Sequence, residues 1–260
     1  MDFRSVERFT RGDRTLIVKR LGPVGGRQFV LVHGIGVSPR YFVRLARVLA
    51  RSGGVIAVEL PGHGAAPKPA AGMSIEDYAD CVNGYLDSIG LDAPVLIGHS
   101  MGAEIVTEMS LRRPAVDRVV LIGAVVEPRR SSVASIGGRL LKDGFLEPPD
   151  VIWTEVSDYL RCGPRWYLKT VKAMMSYPME SALTRVSADV LAIRGSRDPI
   201  ADRDRGQRML ALIPRVRLVE VMGRGHVVMQ TAPEQVASEI VSHAELGVPA
   251  VSNGEQVELS

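Results

Sequence analysis

Gly98-His99-Ser100-Met101-Gly102 reads G-x-S-x-G, behind the apolar run 93–97 and ahead of a helix-like stretch from Ala103 to Arg113. Strand, sharp turn and helix, with a serine at the apex, is the context that gives this pattern chemical meaning. So tight a turn strains the serine backbone and admits only small neighbours, which glycine supplies at 98 and 102. The helix behind it points its N-terminus at the same spot and favours negative charge there. A neutral serine is a poor nucleophile, so it needs a base to take its proton and an acid to orient that base. Both residue types stand downstream, each just past a strand-like run. Asp198 follows Val190-Leu191-Ala192-Ile193-Arg194-Gly195, and His226 follows Arg217-Leu218-Val219-Glu220-Val221 and a short loop. The order Ser, Asp, His differs from the orders of the two common serine proteases.

Attack on a carbonyl develops negative charge on the substrate oxygen. Two backbone N–H groups are placed to meet it: that of Met101, directly after the serine, and that of Ile35, in the loop after an apolar strand ending at Val32. Gly34 and Gly36 let that loop come close to a substrate. His33 is expected to shape the loop by hydrogen bonding, and His99 to be a buried neighbour of the serine.

In combination these motifs resemble the α/β-hydrolases. The likeness runs from about residue 14 to about residue 243 through Val32-His33-Gly34-Ile35-Gly36, Leu60-Pro61-Gly62-His63-Gly64, the serine turn, Gly195-Ser196-Arg197-Asp198-Pro199 and Gly225-His226. The resemblance implies a mostly parallel eight-stranded sheet with helices on both faces and an inserted helical cap. It implies Ser100 as nucleophile, His226 as base and Asp198 as acid. It makes His63 structural, in a turn that lies away from the nucleophile. Glu127 is a rival acid, since some members carry theirs at the end of the strand before the cap, and Glu104 is a weaker one. Serine at the nucleophile position excludes the dehalogenases and epoxide hydrolases, which use aspartate. Position 103 holds Ala where the family often has a third glycine. The His-Gly-Ile-Gly loop is similar to that of the smaller capped enzymes: esterases, lactonases, thioesterases, C–C bond hydrolases and perhydrolases.

These groups must be positioned by a fold, and the rest of the chain is patterned accordingly. Residues 3–10 and 14–21 alternate around Gly12-Asp13 and predict a β-hairpin. Phe42, Leu45, Val48 and Leu49 share one helical face, and Ser74 with Asp77 predicts a capped helix reaching about Ile89. Near-continuous apolar strands alternating with helices predict a parallel sheet covered on both sides. That alternation stops between about 127 and 185, where Pro128, Pro148-Pro149, Pro164 and Pro178 separate short helical stretches and both tryptophans lie. Residues 1–126 and 186–246 are therefore read as the core, 127–185 as the cap, and 247–260 as a flexible tail without function. Trp153 and Trp166 in the cap, with Gly34, His99 and Val227 beside the triad, are the candidate substrate-binding residues.

With 260 residues and 46% apolar content, the chain is long enough for one large core. The first residues lack the apolar stretch of a signal peptide, and no window approaches the roughly 18 apolar residues of a membrane span. A cytoplasmic protein is expected, with Cys81 and Cys162 as reduced thiols. A net charge of +3 and 5% aromatics give no basic stripe for nucleic acid. The sequence carries no metal motif, dinucleotide fingerprint or phosphate loop, so no metal or cofactor is expected. The reading is a serine hydrolase of a small to medium apolar ester, as monomer or homodimer. A C–C hydrolase of ring-cleavage dienoates, with Arg161, Arg165 and Lys169 holding the acid, is the alternative. A ligand receptor on the same fold is the rival outside enzymes.

Overall fold

The apolar runs pair side by side because each is buried on both faces. The structure is a computed structural model and describes residues 5–125, 149–245 and 255–259. β1 (Ser5–Arg11) and β2 (Arg14–Leu21) form the expected antiparallel hairpin. β3 (Gln28–Val32), β4 (Gly54–Glu59), β5 (Val95–His99), β6 (Arg118–Ile122), β7 (Asp189–Gly195) and β8 (Val216–Val221) continue the sheet. The spatial order is β1-β2-β4-β3-β5-β6-β7-β8-β9, antiparallel up to β4 and parallel from β4 onward. The strand order reverses between β3 and β5. A reversal of this kind leaves a crevice at the carboxyl ends of the strands, where ligands bind in open α/β sheets. The Gly34 loop and Ser100 follow those two strands directly.

Alternate residues of each strand feed opposite layers. Val30, Val32, Leu96, Val119 and Leu121 face one core, covered by α2 (Ile75–Ser88) and α3 (Met101–Leu111). Phe29, Leu31, Ile97, Val120 and Ile122 face the other, covered by α1 (Val43–Leu49) and by the C-terminal helix described below. Burying each such side chain contributes about 1.5–3 kcal/mol, and this packing is what makes the strand ends rigid. Ser74 and Asp77 form the full reciprocal cap of α2 that their spacing predicts.

Between β6 and β7 the described chain is helical: α4 (Pro149–Cys162), α5 (Pro164–Ser176) and α6 (Met179–Leu183). α7 (Arg203–Leu212) follows β7, and α8 (Val228–Thr231) and α9 (Pro233–Glu245) follow β8. Cys81 and Cys162 are buried free thiols. Among the described residues no helix is long and apolar enough to cross a membrane.

β6 ends at Ile122, because Gly123 turns into the left-handed region at φ +54°. One expectation needs correcting. The segment expected as a tail contributes β9 (Glu255–Leu259), parallel to β8, which raises the strand count to nine. The edge of β8 offers a row of backbone donors and acceptors, and a short extended segment satisfies them whatever its composition.

Candidate active site

Ser100 takes φ +54° and ψ −119°, the one positive φ among the described non-glycine residues. Its N–H donates to the Ile122 carbonyl at 2.9 Å, so the apex is held from the neighbouring strand. The two glycines of the turn are required by contact. A Cβ at Gly98 would collide with the Gly102 carbonyl oxygen, and one at Gly102 with the Val32 carbonyl oxygen. Met101 opens α3, so its N–H belongs to the first-turn donors that have no partner within the helix.

Asp198 and His226 come together from the ends of β7 and β8. His226 Nδ1 donates to Asp198 Oδ2 at 2.8 Å, while Asp198 Oδ1 accepts from the N–H groups of Ile200 (2.7 Å) and Ala201 (2.9 Å). Burial alone would push the Asp198 carboxyl up. The His226 charge and hydrogen bond, with the two amides, outweigh burial and hold it below its ordinary value. The two loops are laced together: Arg197 N–H donates to the Arg224 carbonyl at 2.9 Å, and Gly223 N–H to Ser196 Oγ at 2.8 Å. On the sheet side of His226 lies Gly123, where a Cβ would come within 2.9 Å of the ring. That glycine was not singled out from the sequence. A glycine after a strand was visible, but the close approach that requires it was not.

The Gly34 loop lies against the serine: a Cβ at Gly34 would sit 3.2 Å from Ser100 Cβ. His33 holds this loop, as expected. Its Nε2 accepts from Leu60 N–H at 3.0 Å, which leaves the ring proton on Nδ1, and Nδ1–H donates to the Gly34 carbonyl at 2.8 Å. Burial lowers the His33 ring to about 4, so it stays neutral. Gly34 C=O and Ile35 N–H share one trans peptide, so fixing the carbonyl toward His33 turns the Ile35 N–H the opposite way. His99 is buried with its ring 4.6 Å from the His226 ring and tilted to it by 53°, its Nε2 3.1 Å from the His226 carbonyl and its Nδ1 3.0 Å from the Tyr41 hydroxyl. Tyr41 was missed from the sequence. Seven residues from Gly34 and on a short 3-10 turn (Pro39–Phe42), it carries no motif.

The carboxylate that His226 Nδ1 meets is Asp198, not the rival Glu104. Glu104 is buried on α3, and burial followed by the Glu76 charge pushes its carboxyl well up, which favours the neutral form. Glu127 lies outside the described residues. His63 stacks edge-on against His33 at 5.1 Å and is held neutral by burial, at about 3.

Helices α4 and α5 rest on this floor. Asp158 of α4 is fully buried. It accepts from Ser38 Oγ at 2.6 Å and pairs with Arg40 at 3.1 Å, both just after the Gly34 loop. Tyr159 and Tyr167 pack over Gly36, where a Cβ would strike the Tyr159 ring. Trp166 is 4% exposed and packs over Gly62 rather than Gly34. Trp153 is 73% exposed on the outer face of α4. The structure thus sets Gly34 against Ser100 and His226 against His99 and Asp198, buries Val227 in the core that Phe29 and Leu31 face, and leaves Trp153 exposed. Among the described residues no group of three or more His, Cys, Asp or Glu is arranged to hold a metal.

This fold, with its strained serine and its Asp–His pair, is that of a hydrolytic enzyme class, and the comparison with known proteins agrees. The chain belongs to the alpha/beta hydrolase family, whose model matches residues 29–239. It is similar to the (E)-2-((N-methylformamido)methylene)succinate hydrolase of Acinetobacter baylyi, at 24% identity over 230 residues, 81% of this chain and 88% of that one. The enol-lactonase of Burkholderia xenovorans LB400 shares the fold with a TM-score of 0.81 and 17% identity, over 92% of this chain and all of that one. A bacterial membrane phospholipase A shares it with a TM-score of 0.81 and 24% identity, over 93% of this chain and 86% of that one.

Proposed function

We propose that this enzyme is a serine hydrolase that cleaves a carboxylic ester of a small to medium apolar substrate through an acyl-enzyme. The observation that carries the reading is the strained Ser100 next to His99, whose ring lies 4.6 Å from a His226 with its Nδ1–H held by Asp198 at 2.8 Å. Ser100 Oγ attacks the ester carbonyl while His226 Nε2 takes its proton. The oxyanion is met by the N–H groups of Ile35 and Met101. Collapse expels the alcohol, which takes the proton back from His226, and water repeats the sequence on the acyl-enzyme. Asp198 stays ionised throughout, as its lowered pKa favours, and keeps the imidazole in the useful tautomer. The Tyr159 and Tyr167 rings over Gly36, on α4 and α5, give the acyl pocket an apolar lining. No step calls for a metal or cofactor. Two buried free thiols fit a cytoplasmic protein.

The test is turnover of p-nitrophenyl acetate, butyrate and octanoate and of a ring-cleaved dienoate, with the Ser100→Ala variant as control. Ester hydrolysis that peaks at one chain length and vanishes in the variant is the expected result. Rapid dienoate cleavage without ester turnover would replace the ester reading by carbon–carbon hydrolysis.

A further inference from the structure

We propose that Tyr41 and His99 are positioning residues: they form a one-directional chain of hydrogen bonds that ties the Gly34 loop to the backbone of His226. The proposal rests on the serine-hydrolase reading and adds to it the device that keeps the oxyanion loop and the base in register.

The polarity of the chain is forced from both ends. The Gly34 N–H can only donate, and it does so to Tyr41 Oη at 2.8 Å. The His226 carbonyl can only accept, so His99 Nε2, 3.1 Å away, carries the ring proton. His99 Nδ1 is then bare and accepts the Tyr41 hydroxyl proton at 3.0 Å. Every link therefore points from the loop toward the base. His33 extends the same direction upstream, since Leu60 N–H donates to its Nε2 and its Nδ1–H donates to the Gly34 carbonyl. The two histidines thus hold opposite tautomers, each fixed by the backbone. Burial, followed by the His226 charge, holds the His99 ring well below its ordinary 6.5, so it is no proton carrier at neutral pH.

The arrangement is buried and closely packed. Tyr41, His99 and His226 are all buried, and the Tyr41 and His99 rings meet edge-on at 5.4 Å. Low dielectric strengthens aligned hydrogen bonds and makes a missing partner costly. The turn that carries Tyr41 is itself pinned, because Asp158 of the cap accepts from Ser38 Oγ at 2.6 Å. The chain crosses from the end of β3 through β5 to the end of β8. Those three segments must agree within a fraction of an ångström for attack, proton transfer and oxyanion binding to coincide.

The experiment compares Tyr41→Phe, His99→Leu and His99→Gln with the wild type, reading kcat and KM on p-nitrophenyl acetate, fluorophosphonate labelling of Ser100, and thermal midpoint. Tyr41→Phe and His99→Leu are expected to lower kcat about ten- to a hundredfold, the range for second partners of catalytic ligands, with KM little changed. His99→Gln, which keeps a donor and an acceptor, should recover part of that loss. In the wild type, nitrogen NMR should find the His99 proton on Nε2. Unchanged kcat in both Tyr41→Phe and His99→Leu overturns the proposal, as does a loss no larger than the unfolded fraction, or a His99 proton on Nδ1. A wild type that fluorophosphonate does not label overturns the serine-hydrolase reading and this tie with it. A labelled wild type with unaffected variants removes the tie alone.

Discussion

Around Ser100, the side chains of His33, His99 and Asp198 are each fixed by backbone amides or carbonyls. Helices α4 and α5 rest on the same floor differently, through the rings of Tyr159, Tyr167 and Trp166 over two glycines and through one buried carboxylate, Asp158. The first kind of contact is directional and fails within a fraction of an ångström. The second is largely a matter of volume and tolerates exchange. A fold built in this way can keep one chemistry while the roof is reshaped for different substrates, so catalytic residues and selectivity residues should respond to substitution in different currencies.

That contrast is open to attack, beginning where the effect is largest. Ser100→Ala should remove turnover by about 10⁶-fold, as for other triads, with an unchanged thermal midpoint. Asp198→Asn should cost about 10⁴-fold in kcat through the wrong histidine tautomer; a near-normal rate would transfer the acid's role to Glu127.

Between about pH 6.5 and 4 the histidines dominate the titration, and none of the five lies in 127–185. Burial lowers His33 to about 4, His63 to about 3 and His243 to about 4, all from 6.5. Here the unfolded chain takes up protons first, so stability is full above about 6.5 and falls as the pH drops toward 4. Asp198 acts lower down: its stabilisation is complete above 3.8 and is lost as the pH falls through its lowered folded value. A thermal midpoint flat between pH 6.5 and 4 would contradict the buried, neutral rings.

The smallest effects lie in the roof. Trp166→Ala should destabilise by about 3–5 kcal/mol and shift the preferred acyl length. Trp153→Ala should change stability by no more than about 0.5 kcal/mol. Equal losses from the two would mean that the outer face of α4 is packed after all.

The elbow, the order Ser–Asp–His and the hairpin were legible because each is local. Their signals are a turn that only glycine permits, a residue just past a strand, and an alternation of period two. Tyr41, Gly123 and Asp158 were not legible, since their roles arise only when distant segments meet. Tyr41 needs β5 beside β3, Gly123 needs His226 against it, and Asp158 needs the cap folded onto Ser38. Trp153 shows the converse: its type and company suggested a pocket, but position on a helix decides which face a side chain takes, and this one is exposed. The ninth strand escaped notice because an edge recruits a partner by its backbone, which side-chain patterns do not report.

The most direct test of the account is the site of covalent capture by a fluorophosphonate, located by peptide mass mapping in the wild type and in Ser100→Ala. A single adduct on Ser100, absent from the variant, is the predicted result. No adduct, or one retained in Ser100→Ala, would contradict an activated serine at the elbow.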